Sequence, residues 1–266
     1  MLKDITLGQF FPGNTIVHRL DPRTKILAVI LYIVALFSAD SVLTYVLAAA
    51  VLALCILVSK VPFKSLTKGL KPILIIVIFT AVMNLFFTKG TAICDVWLLR
   101  HITWEGLAAA AKMMVRIVML IMGTFLLTYT TSPISLTDGL ESLLGFLKKI
   151  KVPVHELSMM MSIALRFIPT LIEETDKIMS AQKARGADFE SGNIFQRAKA
   201  LVPILVPLFI SAFRRADDLA TAMEARCYRG GEGRTRMNEL SYTYRDGIAM
   251  AAVLIVTAVL AAMRWL

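Results

Sequence analysis

Two short arginine motifs contain the residues of this chain whose type and spacing point most clearly to binding chemistry. The segment AQKARG ends at Gly186, and the segment AMEARC, which begins 41 residues further along, ends at Cys227. Both read Ala-x-x-Ala-Arg and then a small residue. A guanidinium suits bidentate capture of a carboxylate, and small neighbours let the helix end that carries it approach another surface closely. The pattern is therefore typical of docking onto a partner.

Helix capping is a simpler interpretation of the same residues. Arg is favourable at the negative end of a helix dipole, and a following Gly adopts the left-handed conformation that ends many helices. Capping accounts for one motif taken alone. It does not explain why both motifs share Ala-x-x-Ala-Arg, with an alanine directly before Arg185 and Arg226. The residues by themselves leave docking and capping open.

The composition indicates what kind of elements carry these motifs. The chain has 266 residues, of which 57% are apolar and 18% charged, and its mean hydropathy is +0.70. These values are typical of an integral membrane protein. A net charge of +10 fits cytoplasmic loops beside anionic lipid, and we find no nucleic-acid-binding module. The three cysteines and three histidines are too isolated to predict a disulfide, a metal site or a cofactor.

The apolar segments predict an all-α, polytopic protein with about five transmembrane helices. An N-terminal transmembrane region, residues 1–130, is expected to be followed by a cytoplasmic region, 131–246, and a C-terminal transmembrane helix, 247–266. The turn SADS divides the first apolar stretch into two helices. The first four spans are predicted near residues 25–38, 42–58, 70–87 and 107–130.

Basic residues predict the orientation. Lys60, Lys64, Lys68 and Lys71 lie between the second and third predicted spans with no acid among them, whereas the SADS turn carries no cation. The positive-inside rule then places this loop and the N-terminus in the cytoplasm, and five spans place the C-terminus outside.

The long segment before the last span is predicted to form amphipathic coupling helices. It is too charged to cross a membrane, yet its apolar residues recur every three or four positions, as at Phe209, Phe213 and Met223. Each arginine motif falls at the C-terminal end of one such helix. Met159, Met160 and Met161 form a further cluster, which either fills gaps in a core or provides a surface that repacks against different partners.

The residues HRLDPRTKI, AQKARG and AMEARCYRGG, in this order, resemble the T component of energy-coupling factor (ECF) transporters, and the resemblance covers essentially the whole chain. It implies a non-catalytic scaffold in the plasma membrane of a prokaryote, within a vitamin or metal-ion importer. The implied partners are two ABC-type ATPases, identical or different, and a membrane-embedded, substrate-binding S component. The implied ATPase-docking residues are Ala184, Arg185, Gly186, Ala225, Arg226 and Cys227.

Two further points concern particular residues of this chain. Cys227 stands where the family more commonly has Gly or Ser, although Cys is also small. The methionines Met159, Met160 and Met161 would belong to the surface that contacts the S component. In this interpretation the two similar motifs exist because two ATPases offer two equivalent grooves.

An integral membrane enzyme acting on lipid-linked substrates is the alternative. It rests on Lys112 and Arg116, two cations one helical turn apart within the fourth apolar segment, because cations inside a membrane usually serve a function. The same pair could instead reach the headgroups from the outer interface. Only Glu105 and His101 are near enough in sequence to support catalysis, and the segment YRGGEGRTR lacks the phosphate-loop pattern.

Overall fold

The structure is a computed structural model that describes residues 10–88, 103–189, 193–231 and 239–265. These residues contain eight α-helices and one 3-10 helix, which runs from Leu144 to Ile150. The α-helices are α1 (Pro22–Ser38), α2 (Val42–Ser59), α3 (Phe63–Phe87), α4 (Trp104–Thr130), α5 (Pro133–Leu143), α6 (Val154–Ala184), α7 (Ile194–Ala225) and α8 (Tyr244–Trp265). The predicted all-α class is confirmed.

Four helices are long and apolar enough to cross a membrane, namely α2, α3, α4 and the Tyr244–Met263 part of α8. With 17 residues, α1 lies at the lower limit of a membrane-spanning helix. The prediction of a polytopic membrane protein is thus confirmed, and the helix positions agree with the predicted spans except at the start of α3.

The predicted loop before the third span is largely helical. Because α3 begins at Phe63, Lys64, Lys68 and Lys71 lie on its first turns, and Pro72 lies inside the helix and not in its first turn. Lysine favours helix, so a charged stretch that ends the hydrophobic pattern does not have to end the helix itself. The error concerned the helix boundary.

The chain divides into two compact units. The transmembrane unit, made of the described residues between 10 and 139 and between 240 and 265, holds α1 to α4, most of α5 and α8. Within it, α1, α2, α4 and α8 share a core in which Leu36 and Leu260 are fully buried. Glycines permit close approach in this unit, since a Cβ at Gly123 would lie 2.7 Å from the ring of Tyr32 and one at Gly69 would overlap the ring of Phe125.

The coupling unit comprises the described residues between 140 and 239. Its main elements are α6 and α7, with 31 and 32 residues, and they pack against each other. An ion pair between Arg215 and Glu174, at 2.6 Å, joins them. Pro169, Pro203 and Pro207 lie inside these helices. The predicted pair of amphipathic helices is present, and each arginine motif follows the last turn of one of them.

Candidate docking site

The first arginine motif ends α6 in a Schellman cap. The amide of Gly186 donates to the carbonyl of Lys183 at 3.0 Å, and the amide of Ala187 donates to that of Gln182 at 3.0 Å. Gly186 has a φ of +88°. Glycine suits this position because a left-handed backbone is costly for residues that carry a Cβ.

The second motif ends α7 with the same set of bonds. The amide of Cys227 donates to the carbonyl of Glu224 at 2.8 Å, and the amide of Tyr228 donates to that of Met223 at 3.0 Å. Cys227 has a φ of 56°, so it adopts the left-handed conformation although it is not glycine. Both helix ends are therefore capped alike by the backbone, so capping accounts for the end of each helix but not for the alanine before each arginine.

Capping uses only the backbone and leaves both guanidinium groups available. Arg185 and Arg226 are exposed, as are the alanines Ala184 and Ala225 before them. Within the part of the chain that the structure describes, neither arginine has a hydrogen bond or ion pair from its side chain. The two helix ends thus share one local geometry and each presents one unpaired cation. A capping role alone does not require that duplication.

The methionine cluster lies near the start of α6. Met160 and Met161 are 55% and 48% exposed, whereas Met159 is half-buried. One turn earlier on α6, Nδ1 of His155 lies 3.0 Å from a carboxylate oxygen of Glu141. The exposure of two of the three methionines argues against a purely space-filling role for the cluster.

The apolar face of α7 is also largely uncovered. Phe195, Phe209 and Phe213 are 81%, 60% and 68% exposed, and Val206 and Ile210 beside them are exposed as well. Monomeric soluble proteins rarely expose a continuous apolar surface of this kind, so it marks a site for a protein partner or for lipid.

A buried polar network in the transmembrane unit was not assigned a role from the sequence. Asp21 caps the start of α1, where its carboxylate accepts from the backbone amide of Arg23 at 2.9 Å. The same carboxylate accepts from Nε and Nη2 of Arg23, at 3.0 and 2.9 Å. Arg23 also donates to the carbonyl of Leu240 and lies 4.0 Å from the ring centre of Tyr242. The N–H groups of Nε and Nη2 are thereby engaged with the chain itself.

The network continues into the start of α8. Both carboxylate oxygens of the buried Asp246 accept backbone amides, one from Asp21 at 2.7 Å and one from Thr243 at 2.9 Å. The buried ammonium of Lys25 donates to the carbonyls of His18 and Thr130. The segment HRLDPRTKI, which carried part of the family resemblance, is thus where α1 is fastened to α8 and to the end of α4.

His18 lies at the edge of this network. Its Nδ1 is 2.7 Å from the hydroxyl of Thr15, and its Nε2 is 3.1 Å from the carbonyl of Phe11. Partial burial lowers the pKa of His18, the bond to Phe11 opposes that shift, and the charge of Lys25 adds to it. The lowered pKa favours the neutral ring, which bonds within this segment through both of its nitrogens.

The two cations in the fourth apolar helix have different surroundings. Arg116 donates to the carbonyl of Ala39 at 3.0 Å, and its guanidinium lies 5.7 Å from the ring centres of Phe37 and Tyr45. It therefore holds the turn between α1 and α2. Lys112, one turn earlier, is exposed. Thus Arg116 is engaged with the turn between α1 and α2, whereas Lys112 is exposed.

No metal site is found among the described residues, where no group of three His, Cys, Asp or Glu side chains is placed to hold an ion. Cys94 and His101 lie outside the described residues. The same is true of positions 232–236 in the glycine-rich segment.

Helices that can span a membrane, joined in one chain to long amphipathic helices, define a polytopic membrane protein. Comparison with known proteins identifies its family. The CbiQ family, described as cobalt transport protein, matches residues 13–237. The chain therefore belongs to the family of transmembrane proteins of ECF transporters, as its close relatives show.

Three of these relatives carry the name energy-coupling factor transporter transmembrane protein EcfT. The protein from Clostridium kluyveri is 59% identical over 268 residues, which cover 100% of this chain and 99% of the relative. That from Ruminiclostridium cellulolyticum is 56% identical over 246 residues, 92% of each chain. That from Bacillus subtilis is 49% identical over 261 residues, 98% of each chain. The resemblance seen in the sequence is confirmed.

Proposed function

We propose that this chain is the scaffold of an ECF-type importer, which couples ATP hydrolysis by two cytoplasmic ABC-type ATPases to uptake through an S component. The observation that carries this proposal is the pair of equally capped helix ends, each with an unpaired arginine. Two copies of one geometry match two equivalent grooves on an ATPase pair. The chain itself takes no part in the chemistry of hydrolysis.

The chemistry of docking follows from the cap. Because the last carbonyls of α6 and α7 are already satisfied by backbone amides, Arg185 and Arg226 are free to donate to a partner's carboxylate. The exposed alanines before them leave room for the walls of a groove. Cys227 stands at the position of the second motif that corresponds to Gly186, and it has the same left-handed backbone conformation. Its departure from the family's usual residue therefore does not alter the backbone shape of this helix end.

The S component is expected to cover apolar surface of the coupling unit. The candidates are the exposed face of α7 around Phe209 and Phe213 and the methionines Met159, Met160 and Met161. Thioether side chains adapt to different surfaces at low cost. The substrate, a vitamin or a metal ion, is then determined by the S component and not by this chain.

Replacement of the three methionines by leucine tests that surface. Leucine keeps the volume and apolar character but has fewer conformations, so folding should hardly change. The same S components should co-purify with the complex, but the ranking of their amounts should change. An unchanged ranking together with a lowered melting temperature would assign the cluster to the core.

We further propose that the protein lies in the plasma membrane with its N-terminus in the cytoplasm. The lysines on the first turns of α3 support this orientation, because the SADS turn at the other end of α2 has none. Cysteines introduced singly at Ser41 and Ser65 should react with an impermeant maleimide from opposite sides of the membrane. Reaction of both from one side would contradict the orientation.

Charge reversal at the two arginines tests the proposed docking. Removing one partner of a desolvated ion pair typically costs about 2–5 kcal/mol of binding. Arg185→Glu and Arg226→Glu should each weaken co-purification of tagged ATPase, and the double variant should release both ATPases and abolish uptake. All variants should still insert in the membrane and retain the S component.

Arg214→Glu is the matched control, since Arg214 is an exposed arginine on α7 that lies outside the motif. This variant should retain ATPases at the wild-type ratio. If the double variant at Arg185 and Arg226 also kept stoichiometric ATPases and full uptake, the motifs would be helix caps only.

A further inference from the structure

A groove of about 570 Å³ opens beside the first turns of α8, entirely within the transmembrane unit. Its apolar side is formed by Ile16 and Leu20 from the segment before α1 and by Ile248 from α8. Ile16 and Ile248 are 60% and 65% exposed. The wall is therefore open to the surroundings and is not filled by the chain itself.

Two arginines, Arg19 and Arg245, line the same groove. Among the residues that the structure describes, neither is paired with a carboxylate. The nearest acids in sequence, Asp21 to Arg19 and Asp246 to Arg245, are both buried. Asp21 is paired with Arg23, and both carboxylate oxygens of Asp246 accept backbone amides, from Asp21 and from Thr243. The groove consequently carries an excess of positive charge beside an apolar wall.

The groove lies beside the end of a helix that is able to cross a membrane, where the hydrocarbon region gives way to headgroups and water. The part of α8 that is able to cross a membrane begins at Tyr244, and Tyr244 also lines the groove. Its ring is largely exposed, and its hydroxyl accepts from Nε of Arg245 at 3.3 Å. Tyrosine is enriched at this depth because its ring suits the hydrocarbon edge and its hydroxyl suits the headgroups.

We propose that this groove binds an anionic phospholipid. The phosphate lies between Arg19 and Arg245, and the first part of an acyl chain lies along Ile16, Leu20 and Ile248. Cations beside an apolar surface at the end of a membrane helix match a lipid with an anionic headgroup. The arginines pair with the phosphate, and the apolar wall contacts the acyl chain. The proposal does not depend on which subunits the coupling helices bind.

Native mass spectrometry of the purified full-length chain, titrated with phosphatidylglycerol or phosphatidylcholine, tests this site. One phosphatidylglycerol should bind with clear preference over phosphatidylcholine. Each arginine near a membrane surface contributes roughly fivefold to such binding, so Arg19→Gln/Arg245→Gln should weaken it by roughly 25-fold. Arg19→Lys/Arg245→Lys, which keeps both charges, should restore most of the affinity and shows that the folded chain survives changes at these positions.

Lys64→Gln/Lys68→Gln removes two exposed cations from α3 of the same unit and is the matched control. It should leave phosphatidylglycerol binding unchanged. An equal loss in this control would mean diffuse attraction to the protein surface, and equal binding of phosphatidylcholine would mean that the charge has no role. Displacement of the lipid by sn-glycerol 3-phosphate at equal concentration would mean that a free phosphate is the ligand. Each of these three results would overturn the proposal.

Discussion

Arginine is used in opposite ways at Arg23 of the transmembrane unit and at the two motif positions of the coupling unit. In the transmembrane unit, Arg23 bonds to Asp21 and to the carbonyl of Leu240 and stacks on Tyr242. In the coupling unit, Arg185 and Arg226 stand at exposed helix ends, without partners among the described residues. The side chain is the same, but its hydrogen-bonding capacity is spent within the chain at Arg23 and left open at Arg185 and Arg226.

This difference between paired and unpaired arginines corresponds to two functions, stabilising the fold and binding a partner. A desolvated charge that is fully paired fixes the elements around it, and removing its partner leaves an uncompensated charge. A solvated charge at a helix end contributes little to the fold and remains available to another protein. The role of an arginine therefore depends on whether neighbouring groups of the same chain already accept its hydrogen bonds.

The largest effect is expected from breaking the buried network. Asp21→Ala removes the counter-ion of Arg23 and the cap of α1 in one step, and such losses typically cost about 3–5 kcal/mol. The melting temperature of the purified chain in detergent should fall steeply. Asp217→Ala, at an exposed position of α7, should leave it nearly unchanged. A similar melting temperature for both variants would show that the network is not important for stability.

The next test compares one arginine of each kind in two assays, thermal stability and ATPase binding. Arg23→Ala should lower the melting temperature of the isolated chain by several degrees, because Asp21 is left buried without its ion pair. Arg185→Ala should lower it only slightly, since an exposed cation at a helix C-terminus is worth about 0.3–1 kcal/mol. The order of the two variants should reverse when ATPase binding by the surviving folded fraction is measured. The same order in both assays would remove the distinction between the units.

The smallest effects concern the residues that follow the arginines. Gly186→Ala places a Cβ in a left-handed backbone with no other atom within 4 Å, so only the conformational cost of roughly 1 kcal/mol applies. Cys227→Gly removes that cost at the second cap and should stabilise its helix end slightly. Hydrogen exchange of the last-turn amides of α6 and α7 would measure both changes. Equal and opposite shifts support one shared cap geometry, whereas a destabilised Cys227→Gly variant would count against it.

Much of the architecture was predictable because membrane helices and amphipathic helices have different hydrophobic patterns. The positions of α2, α4 and α8 follow directly from apolar runs of sufficient length. The start of α3 was placed too late because lysines interrupt the hydrophobic pattern without interrupting the helix. Hydropathy thus located the spans, but not the ends of helices that extend past the membrane.

The site was only partly predictable. The positions of both motifs at helix ends were correct, but the left-handed conformation of Cys227 could not be read from its residue type, since glycine is the usual residue there. The buried network was missed because Asp21 and Asp246 are far apart in the chain, and spacing gives no sign of contacts between the first and last helices. The segment HRLDPRTKI was the only available signal. It contributed to the family resemblance, but no structural role for its residues followed from the sequence.

The central claim is that both arginine helix ends are buried in grooves of partner ATPases, and Cys227 provides a direct probe of it. Its thiol is free and exposed at the end of α7. Maleimide labelling, quantified at Cys227 by peptide mass spectrometry, should be rapid in the isolated chain and strongly suppressed in the complex with ATPases. Labelling should return when Arg226→Glu releases that helix end. Equal labelling of Cys227 with and without bound ATPases would contradict the account.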